Sequence, residues 1–410
     1  MTLGAGAALA VEPVSSIPVA LRAGPIEDSV PAAACPDSAT PCTWERVYGT
    51  SADDKAYGVV PLPGGDFLAA GNTRPNNGAN YDAWLMRVSP AGTLLWEEGF
   101  GGGGADEFHD IALLPSGTVV AAGHTRSTGA GGSDGWIIRT DAQGRMINER
   151  VLGGPGDDRI RSVASLADGG YLLVGESASE SRGGDDLWVL RAGSDGEILW
   201  QRRFGGAGDD RGYDVIALSD GGMAIAGQSW IGPQRGYDLW ILRLDPDGSL
   251  LWERTLDTDR FEMATALVET PAGDLAIIGT VGVNGTLSDD LWAATLSADG
   301  DLLWSARHGG MGRDTGWGLD VTPGGDLLIA AITWSGGAVA GDAWILSLDP
   351  SGKKLWERRF GGRYWDRPTG ILALETGMIV VGHTSSKGFG FEDAWLLKLD
   401  HDGRIQKVAP

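Results

Sequence analysis

The stretch Trp200–Leu251, WQRRFGGAGDDRGYDVIALSDGGMAIAGQSWIGPQRGYDLWILRLDPDGSLL, carries the pattern that decides the fold. Short apolar segments such as VIAL, MAIAG and LWILRL alternate with turns rich in Gly, Asp and Pro, which predicts four short strands. Several segments are apolar at successive positions, as expected of strands buried on both faces. A unit of this size cannot bury those faces alone, so it must stack against neighbours.

The unit recurs along the chain with a period of 52 residues. One tryptophan series leads the final strand and is interrupted only at Asn148: Trp44, Trp96, Trp200, Trp252, Trp304 and Trp356. A second series follows an aspartate in the motif D-x-W: Trp84, Trp136, Trp188, Trp240, Trp292, Trp344 and Trp395. The last step of this series is one residue short. The in-phase Gly377 places the deletion after it, within its own turn.

The chain also contains a spare strand. Trp44–Tyr48 copies the Trp-led final strand but precedes the first full repeat, and Lys407 stands where the last repeat should have its tryptophan. We therefore predict an all-β fold, a seven-bladed β-propeller of four-stranded antiparallel blades closed by the N-terminal strand. The predicted domain boundaries are residues 1–43 for a leader and 44–410 for the propeller.

The leader indicates the compartment. Met1–Ala10 ends in Ala8-Leu9-Ala10, which matches a signal-peptidase site, and we interpret it as the remnant of a secretory signal. A plain disordered N-terminus is the alternative. Cys35 and Cys42 are the only cysteines, and their C-x6-C spacing suits a local disulfide in an oxidising compartment. These features predict a secreted, periplasmic or cell-surface protein.

Composition excludes several classes of partner. The 410 residues include 66 Gly and 17 Trp, and the formal net charge is -23. A nucleic-acid binder needs a basic surface that this chain lacks, so we expect no nucleic acid as partner. No apolar run reaches the length of a transmembrane helix, so we expect no membrane insertion.

The repeat W-x-R-x-F-G-G…D-G-G…G-x-T…D-x-W-x-L resembles the propeller repeats of secreted and lipid-anchored bacterial and archaeal proteins, most of them known only as hypothetical proteins. The resemblance extends from Trp44 to the C-terminus and implies a fold and secretion, but no reaction. The piece D-x-x-G-x-x-L-W also resembles the tryptophan-docking motif of quinoprotein dehydrogenases. Those proteins usually have eight blades and additional cofactor ligands, so we carry over no quinone and predict no cofactor.

Acidic residues recur at two positions of every repeat. We interpret them as structural caps that bind backbone N–H groups, because seven equivalent acids are more readily seven caps than seven sites. The first set begins the first strand: Asp54, Asp106, Asp158, Asp210, Glu262, Asp314 and Asp366. The G-G-x-G-D-D stretches at Gly153 and Gly205 leave calcium open as a weak alternative.

Function should reside where the repeats differ. Strand parity places the connections between repeats and the loops between second and third strands on one face, here named the long-loop face. Three residues after each capping acid the side chains are chemically diverse: Tyr57, His109, Arg161, Tyr213, Thr265, Trp317 and Thr369. Just beyond the second strand stand Arg74, Arg126, Trp230 and Trp334, and Trp365 also falls outside the tryptophan template.

The leading hypothesis is a binding module for a carbohydrate or peptide on this face. Trp230, Trp317, Trp334, Trp365 and Tyr213 would contact the ligand, with Tyr57, His109, Arg161, Arg74 and Arg126 as further partners. The alternative is a hydrolase or lyase at the mouth of the channel, using His109, Arg161, Tyr57 and Tyr213. The chain carries none of the common catalytic motifs. His124 and His383 lack an evident third metal ligand, so we predict no metal.

Overall fold

A computed structural model describes residues 42–75, 78, 80–233, 236–256, 262–282, 288–338 and 340–406. In these residues 28 strands form seven four-stranded antiparallel sheets, so the predicted all-β seven-bladed propeller is confirmed. The described ranges contain no helix long and apolar enough to cross a bilayer.

Each blade runs from an innermost to an outermost strand. Blade 1 consists of β2 (Asp54–Pro61), β3 (Phe67–Thr73), β4 (Asp82–Val88) and β5 (Leu94–Phe100). Blade 2 consists of β6 (Asp106–Leu113), β7 (Val119–Thr125), β8 (Asp134–Thr140) and β9 (Met146–Leu152). Blade 3 consists of β10 (Asp158–Ser165), β11 (Tyr171–Ser177), β12 (Asp186–Ala192) and β13 (Ile198–Phe204).

Blades 4 to 7 repeat this order. Blade 4 consists of β14 (Arg211–Ala217), β15 (Met223–Gly232), β16 (Gly236–Leu244) and β17 (Leu250–Leu256). Blade 5 consists of β18 (Glu262–Glu269), β19 (Leu275–Gly282), β20 (Asp289–Leu296) and β21 (Leu302–His308). Blade 6 consists of β22 (Asp314–Val321), β23 (Leu327–Thr333), β24 (Asp342–Leu348) and β25 (Lys354–Phe360). Blade 7 consists of β26 (Asp366–Leu374), β27 (Gly377–Thr384), β28 (Asp393–Leu399) and β1 (Trp44–Tyr48).

The N-terminal strand closes the ring as the spare copy predicted. β1 pairs antiparallel with β28, from Trp44 opposite Lys398 to Tyr48 opposite Ala394. At the inner edge, the Thr369 hydroxyl donates to the Ala56 carbonyl at 2.8 Å and joins the last blade to the first. Lys407 lies outside the described residues.

Two tryptophan layers hold the blades together. The D-x-W tryptophans are buried in the third strands. The Trp-led outer strands reach the next blade instead: Trp304, for example, lies against Gly352 and donates its indole N–H to the Pro350 carbonyl at 2.9 Å. This is the inter-blade packing expected of a large aromatic ring. The outer strand of blade 2 has Asn148 in place of this tryptophan. Arg139, the residue that pairs with Asn148 on the neighbouring strand, reaches blade 3 and donates to the Ser194 carbonyl at 2.5 Å.

The irregular positions are local. The hairpin that joins β26 and β27 is shortened to Glu375–Thr376, and Gly377 already begins β27, so the missing residue falls before it rather than after it. Cys42 is disulfide-bonded. Its predicted partner Cys35 and the signal-like segment Met1–Ala10 lie outside the described residues, and the boundary between leader and propeller stays a prediction.

The capping role is confirmed for the six aspartates of the first acid set. Asp314 is fully buried at the start of β22 and accepts from the Gly310 N–H at 2.9 Å, from the Ser335 hydroxyl at 2.7 Å and from the Thr333 hydroxyl. Equivalent bonds hold Asp106, Asp158 and Asp366. Each cap ties the connection that enters a blade to the end of that blade's second strand.

Candidate functional site

The structure contains the long-loop face that strand parity predicts. The loop after each second strand bonds the connection that enters the same blade: the Trp334 N–H donates to the Arg313 carbonyl at 2.8 Å, and Ser385 donates to Trp365 at 2.7 Å. The tight turns between first and second strands lie at the other ends of those strands. Both kinds of long connection therefore meet on one side of the ring.

The diverse position of the repeat has a structural identity that its spacing did not reveal. In every innermost strand the pairing with the second strand shifts at this residue, so each side chain belongs to the extra residue of a β-bulge. Bulges re-aim a side chain and are common beside functional sites. We name the set the bulge ring: Tyr57, His109, Arg161, Tyr213, Thr265, Trp317 and Thr369. Neighbouring innermost strands contact one another around the central channel.

In blades 1 and 2 the members of the bulge ring are a tyrosine and a histidine, and the histidine contacts a second histidine of its blade. His109 Nε2 lies 3.0 Å from His124 Nδ1 in a stacked arrangement, and the Tyr57 ring lies 5.7 Å from the His109 ring. Burial lowers the pKa of His109 and lowers the pKa of His124 to about 3. Burial also raises the pKa of Tyr57. At neutral pH the pair is therefore uncharged, with one imidazole donating to the other.

Blade 3 contributes an ion pair, and blade 4 contributes a tyrosine ring that contacts it. The Arg161 guanidinium donates Nε–H and Nη2–H to the two Glu176 carboxylate oxygens, at 2.6 Å each, and its Cζ lies 5.3 Å from the centre of the Tyr213 ring. Glu176 is buried. Glu176 thus neutralises the charge of Arg161 within the protein. The bidentate bond also fixes the orientation of the planar guanidinium group.

One residue beyond the bulge, a hydroxyl bridges two carboxyls. Ser162 Oγ lies 3.0 Å from Asp110 Oδ2 and 2.9 Å from Asp214 Oδ1. A serine hydroxyl has a single proton to donate, so both contacts are full hydrogen bonds only when one carboxyl is protonated and donates to Ser162 Oγ. Burial, with a contribution from Asp214, raises the pKa of Asp110 to about 7. The Val163 and Leu267 N–H groups also donate to these carboxyls, which cross-link adjacent blades.

Trp317 makes the shortest contact between a cation and an aromatic ring in the bulge ring. The Cζ atom of Arg367, from the next blade, lies 3.9 Å from the centre of the Trp317 ring. Thr265 in the preceding blade donates to the Gly316 carbonyl at 2.9 Å, so this residue joins blades rather than offering a polar group to the channel. Arg367 was not singled out in the sequence, although it lies two residues after Trp365.

The aromatic residues of the outer loops fall into two separate groups. Trp334 and Trp365 meet edge to face with ring centres 5.4 Å apart in blades 6 and 7. Trp230 lies in blade 4, where it packs edge-on against Tyr237 at 5.0 Å and covers Gly208. The structure therefore does not bring Trp230 to Trp334, and Trp230 serves chiefly to anchor its own loop.

Blades 6 and 7 also expose aromatic residues, of which the sequence had marked only Trp365. Trp365 is 51% exposed, Tyr364 55%, Phe389 43% and Phe391 81%. The Tyr364 N–H donates to Ser386 Oγ at 2.9 Å and joins the two loops that carry them. We name Trp334, Tyr364, Trp365, Phe389 and Phe391 the aromatic patch. Trp334 and Trp365 were predicted from the sequence, whereas Tyr364, Phe389 and Phe391 lie in irregular loops and are identified only by their exposure.

The two arginines of the loop position differ in setting. Arg74 lies 3.5 Å from Asp53 and 5.6 Å from the Tyr81 ring centre. Arg126 is exposed, and its backbone N–H binds the Asp106 cap at 3.2 Å. Arg126 lies in blade 2, whereas Arg74 lies in blade 1 and bonds Asp53, in the connection that meets the loop of Phe389 and Phe391.

The acidic stretches are occupied by protein donors. Asp157 accepts from the Ser133 N–H at 2.9 Å, and Asp209 accepts from Arg211 at 3.3 Å and from the Tyr237 hydroxyl at 3.2 Å. Within the described ranges, no three His, Cys, Asp or Glu side chains are grouped so as to hold a metal. The arrangement therefore offers no support for calcium or for a metal on His124 and His383.

Two surface clefts occupy equivalent places at blade junctions. The larger, about 560 Å³, lies between blades 3 and 4 and is lined by Arg203, Trp240 and Glu253. The other is lined by the residues two repeats later, including Trp344 and Glu357. Because both are formed by template residues, such as the Trp240 indole that donates to Glu253 at 3.0 Å, we assign them to the scaffold rather than to the site.

Comparison with known proteins supports the fold but identifies no function. No protein-family model and no curated protein matches the chain. Among solved structures, the polysaccharide lyase Uly1 is similar with a TM-score of 0.53 and 12% identity over 87% of this chain and 92% of its own. Puromycin hydrolase gives 0.52 and 17% over 82% of this chain, but only 51% of its own length is covered. A putative 6-phosphogluconolactonase from Bacteroides fragilis gives 0.50 and 11% over 90% and 94%. The chain is thus a β-propeller whose structural neighbours have varied functions.

Proposed function

We propose that the protein is a secreted or periplasmic binding module that holds a carbohydrate chain against the aromatic patch of its long-loop face. The observation that carries the proposal is Trp365, whose side chain is 51% exposed while Trp334 packs against it with ring centres 5.4 Å apart. A fixed, exposed indole offers the apolar face on which the C–H face of a sugar ring packs.

The arrangement favours a sugar over the other predicted ligand, a peptide. The patch presents flat rings from three connections, and within the described residues it lacks the open strand edge along which an extended peptide would pair. Ala8-Leu9-Ala10 and the disulfide-bonded Cys42 support export to an oxidising compartment.

A glycan array with a parallel peptide array tests the proposal. We expect retention on one class of glycan, weakened about tenfold or more by Trp365→Ala, which corresponds to about 1.4 kcal/mol. Leu303→Ala is the matched control, because Leu303 is 53% exposed on the outer strand β21, away from the patch. Retention on peptides alone, or equal binding by both variants, would refute the carbohydrate proposal.

A second candidate function is a hydrolase or lyase at the channel mouth, and the His109–His124 contact favours it. Two neutral imidazoles 3.0 Å apart can pass a proton from one to the other, and the protonated Tyr57 hydroxyl nearby could act as an acid. Arg161 and Tyr213 would then position the substrate. A screen of polysaccharide and peptide substrates decides: turnover should fall about a hundredfold or more in His109→Ala. Any turnover that survives this change intact places the chemistry elsewhere.

A further inference from the structure

The residue that follows each capping acid defines another set of seven equivalent positions. It precedes the bulge by two residues and pairs with the last part of the second strand, as Arg367 does with His383. Four of its seven members are cations: Lys55, Arg159, Arg211 and Arg367. Because the four positions are equivalent, the carboxylate partners of their cations can be compared directly.

Three of the four cations have carboxylate partners. Lys55 lies 2.7 Å from Glu392, and Arg211 lies 2.8 Å from Asp185. Arg159 lies 3.7 Å from both Asp157 and Glu176.

Arg367 differs from these three. Among the described residues no Asp or Glu oxygen lies within 4.0 Å of its guanidinium, and its Nε is buried without a hydrogen-bond partner.

The sequence explains why Arg367 stands alone. The partners of Lys55 and Arg211 are the residues that immediately precede the D-x-W aspartate of the preceding blade, Glu392 and Asp185. At the corresponding place before Asp342 the chain has Gly341, which has no side chain to offer.

The counter-ion position beside Arg367 is therefore open. Glu392, an acid that raises the pKa of Arg367, is engaged by Lys55 at 2.7 Å and lies 3.7 Å from His383 Nε2.

An unpaired guanidinium in this setting is costly unless something binds it. Burial lowers the pKa of Arg367, which shows that its charge is poorly compensated. Stacking on Trp317 at 3.9 Å fixes the guanidinium plane and leaves its edge N–H groups for a planar acceptor. Arg161 shows the satisfied form of the same chemistry, with Glu176 bound through two bonds of 2.6 Å.

We propose that Arg367, stacked on Trp317, is an anion subsite of the channel that binds the carboxylate of an organic ligand. One guanidinium beside a neutral His383 provides a single positive charge, which matches a monoanionic carboxylate better than a phosphate dianion. The neighbouring Tyr57 ring, 6.3 Å from the His383 ring, places an aromatic wall beside the subsite. The subsite goes beyond the proposed function, since it does not depend on the aromatic patch.

Titration with small carboxylates, followed by NMR or calorimetry at low salt, tests the subsite. The probes are sodium glucuronate and an N-acetylated dipeptide with a free C-terminus, each against its neutral analogue, glucose or the dipeptide amide. We expect at least one carboxylate to bind about tenfold more tightly than its neutral analogue, and which one binds distinguishes a sugar acid from a peptide terminus. If neither exceeds its neutral analogue, the subsite is refuted.

Variants assign the binding to Arg367. Arg367→Gln should reduce carboxylate affinity about tenfold or more, whereas the matched Arg211→Gln should leave it within about twofold, because Asp185 already holds Arg211. Trp317→Leu, which keeps an apolar contact but loses the stacking, should weaken binding severalfold and serves if Arg367→Gln does not fold. Equal affinity in the wild type and in a folded Arg367→Gln or Trp317→Leu variant would overturn the proposal. Carbohydrate binding at the patch can fail while this result stands, so the two proposals are separable.

Discussion

The cap layer and the bulge ring lie three residues apart on the same seven innermost strands, yet they obey opposite rules. The cap layer, defined by the acids that begin these strands with the Thr and Ser hydroxyls that bind them, repeats almost unchanged. The bulge ring holds Tyr, His, Arg, Thr and Trp. A buried carboxylate is destabilising unless hydrogen-bond donors surround it, so its partners must repeat with it. A bulged side chain beside a channel is not held to one such set of partners. The first region is therefore constrained by the fold, and the second is free to differ from blade to blade.

The largest expected effect comes from breaking one cap. Asp314→Asn places an amide N–H₂ where the carboxylate accepts from Gly310, Thr333 and Ser335, so at least one buried donor loses its acceptor. We expect the free energy of unfolding to fall by about 2–4 kcal/mol. Urea denaturation measures the loss, with the exposed Asp402→Asn as control. A loss no greater than that of the control would show that the cap layer is not what holds the blades.

A smaller, pH-dependent effect is expected next to the bulge ring. The pKa of about 7 at Asp110 means that the folded protein keeps a proton there which the unfolded chain releases near pH 4. The free energy of unfolding therefore falls as pH rises from about 4 to about 7. In Asp214→Asn the amide can donate to Ser162 Oγ while its oxygen accepts from Leu267, which frees the serine proton for Asp110.

This exchange should flatten the pH dependence. We expect Asp214→Asn to be about 1–2 kcal/mol more stable than the wild type at pH 8 and nearly equal to it at pH 4.5. Denaturation at the two pH values provides the measurement. If the variant loses as much stability between them as the wild type, the shared proton is not the origin of the slope.

Much of the scaffold follows from the sequence because it is periodic. The 52-residue phase predicts the blades, the closing strand Trp44–Tyr48 and the buried acids, each of which repeats under the same physical constraint. Contacts that break the period could not be predicted in the same way. The stacking of Arg367 on Trp317 spans about one repeat, and the missing carboxylate partner of Arg367 follows from Gly341.

The candidate site was predicted in part. Chemical diversity identified the bulge ring, but a β-bulge depends on strand pairing that the diversity does not encode. The tryptophan template drew attention to Trp230, whose packing on Tyr237 makes it an anchor. Phe389 and Phe391 went unmarked because phenylalanines in an irregular loop carry no periodic signal, and only exposure distinguishes them from core residues.

The smallest expected effect comes from exchanging a member of the bulge ring for one that another blade already carries. Tyr213→Thr places in blade 4 the residue that Thr265 supplies in blade 5. The change removes the contact between the Tyr213 ring and Arg161 at 5.3 Å, but it leaves the bidentate bond from Arg161 to Glu176 in place. The free energy of unfolding should therefore change by about 1 kcal/mol or less, as expected for one partly exposed cation–π contact. Thermal unfolding of Tyr213→Thr beside Asp314→Asn makes the comparison direct, and equal losses would erase the distinction between the two regions.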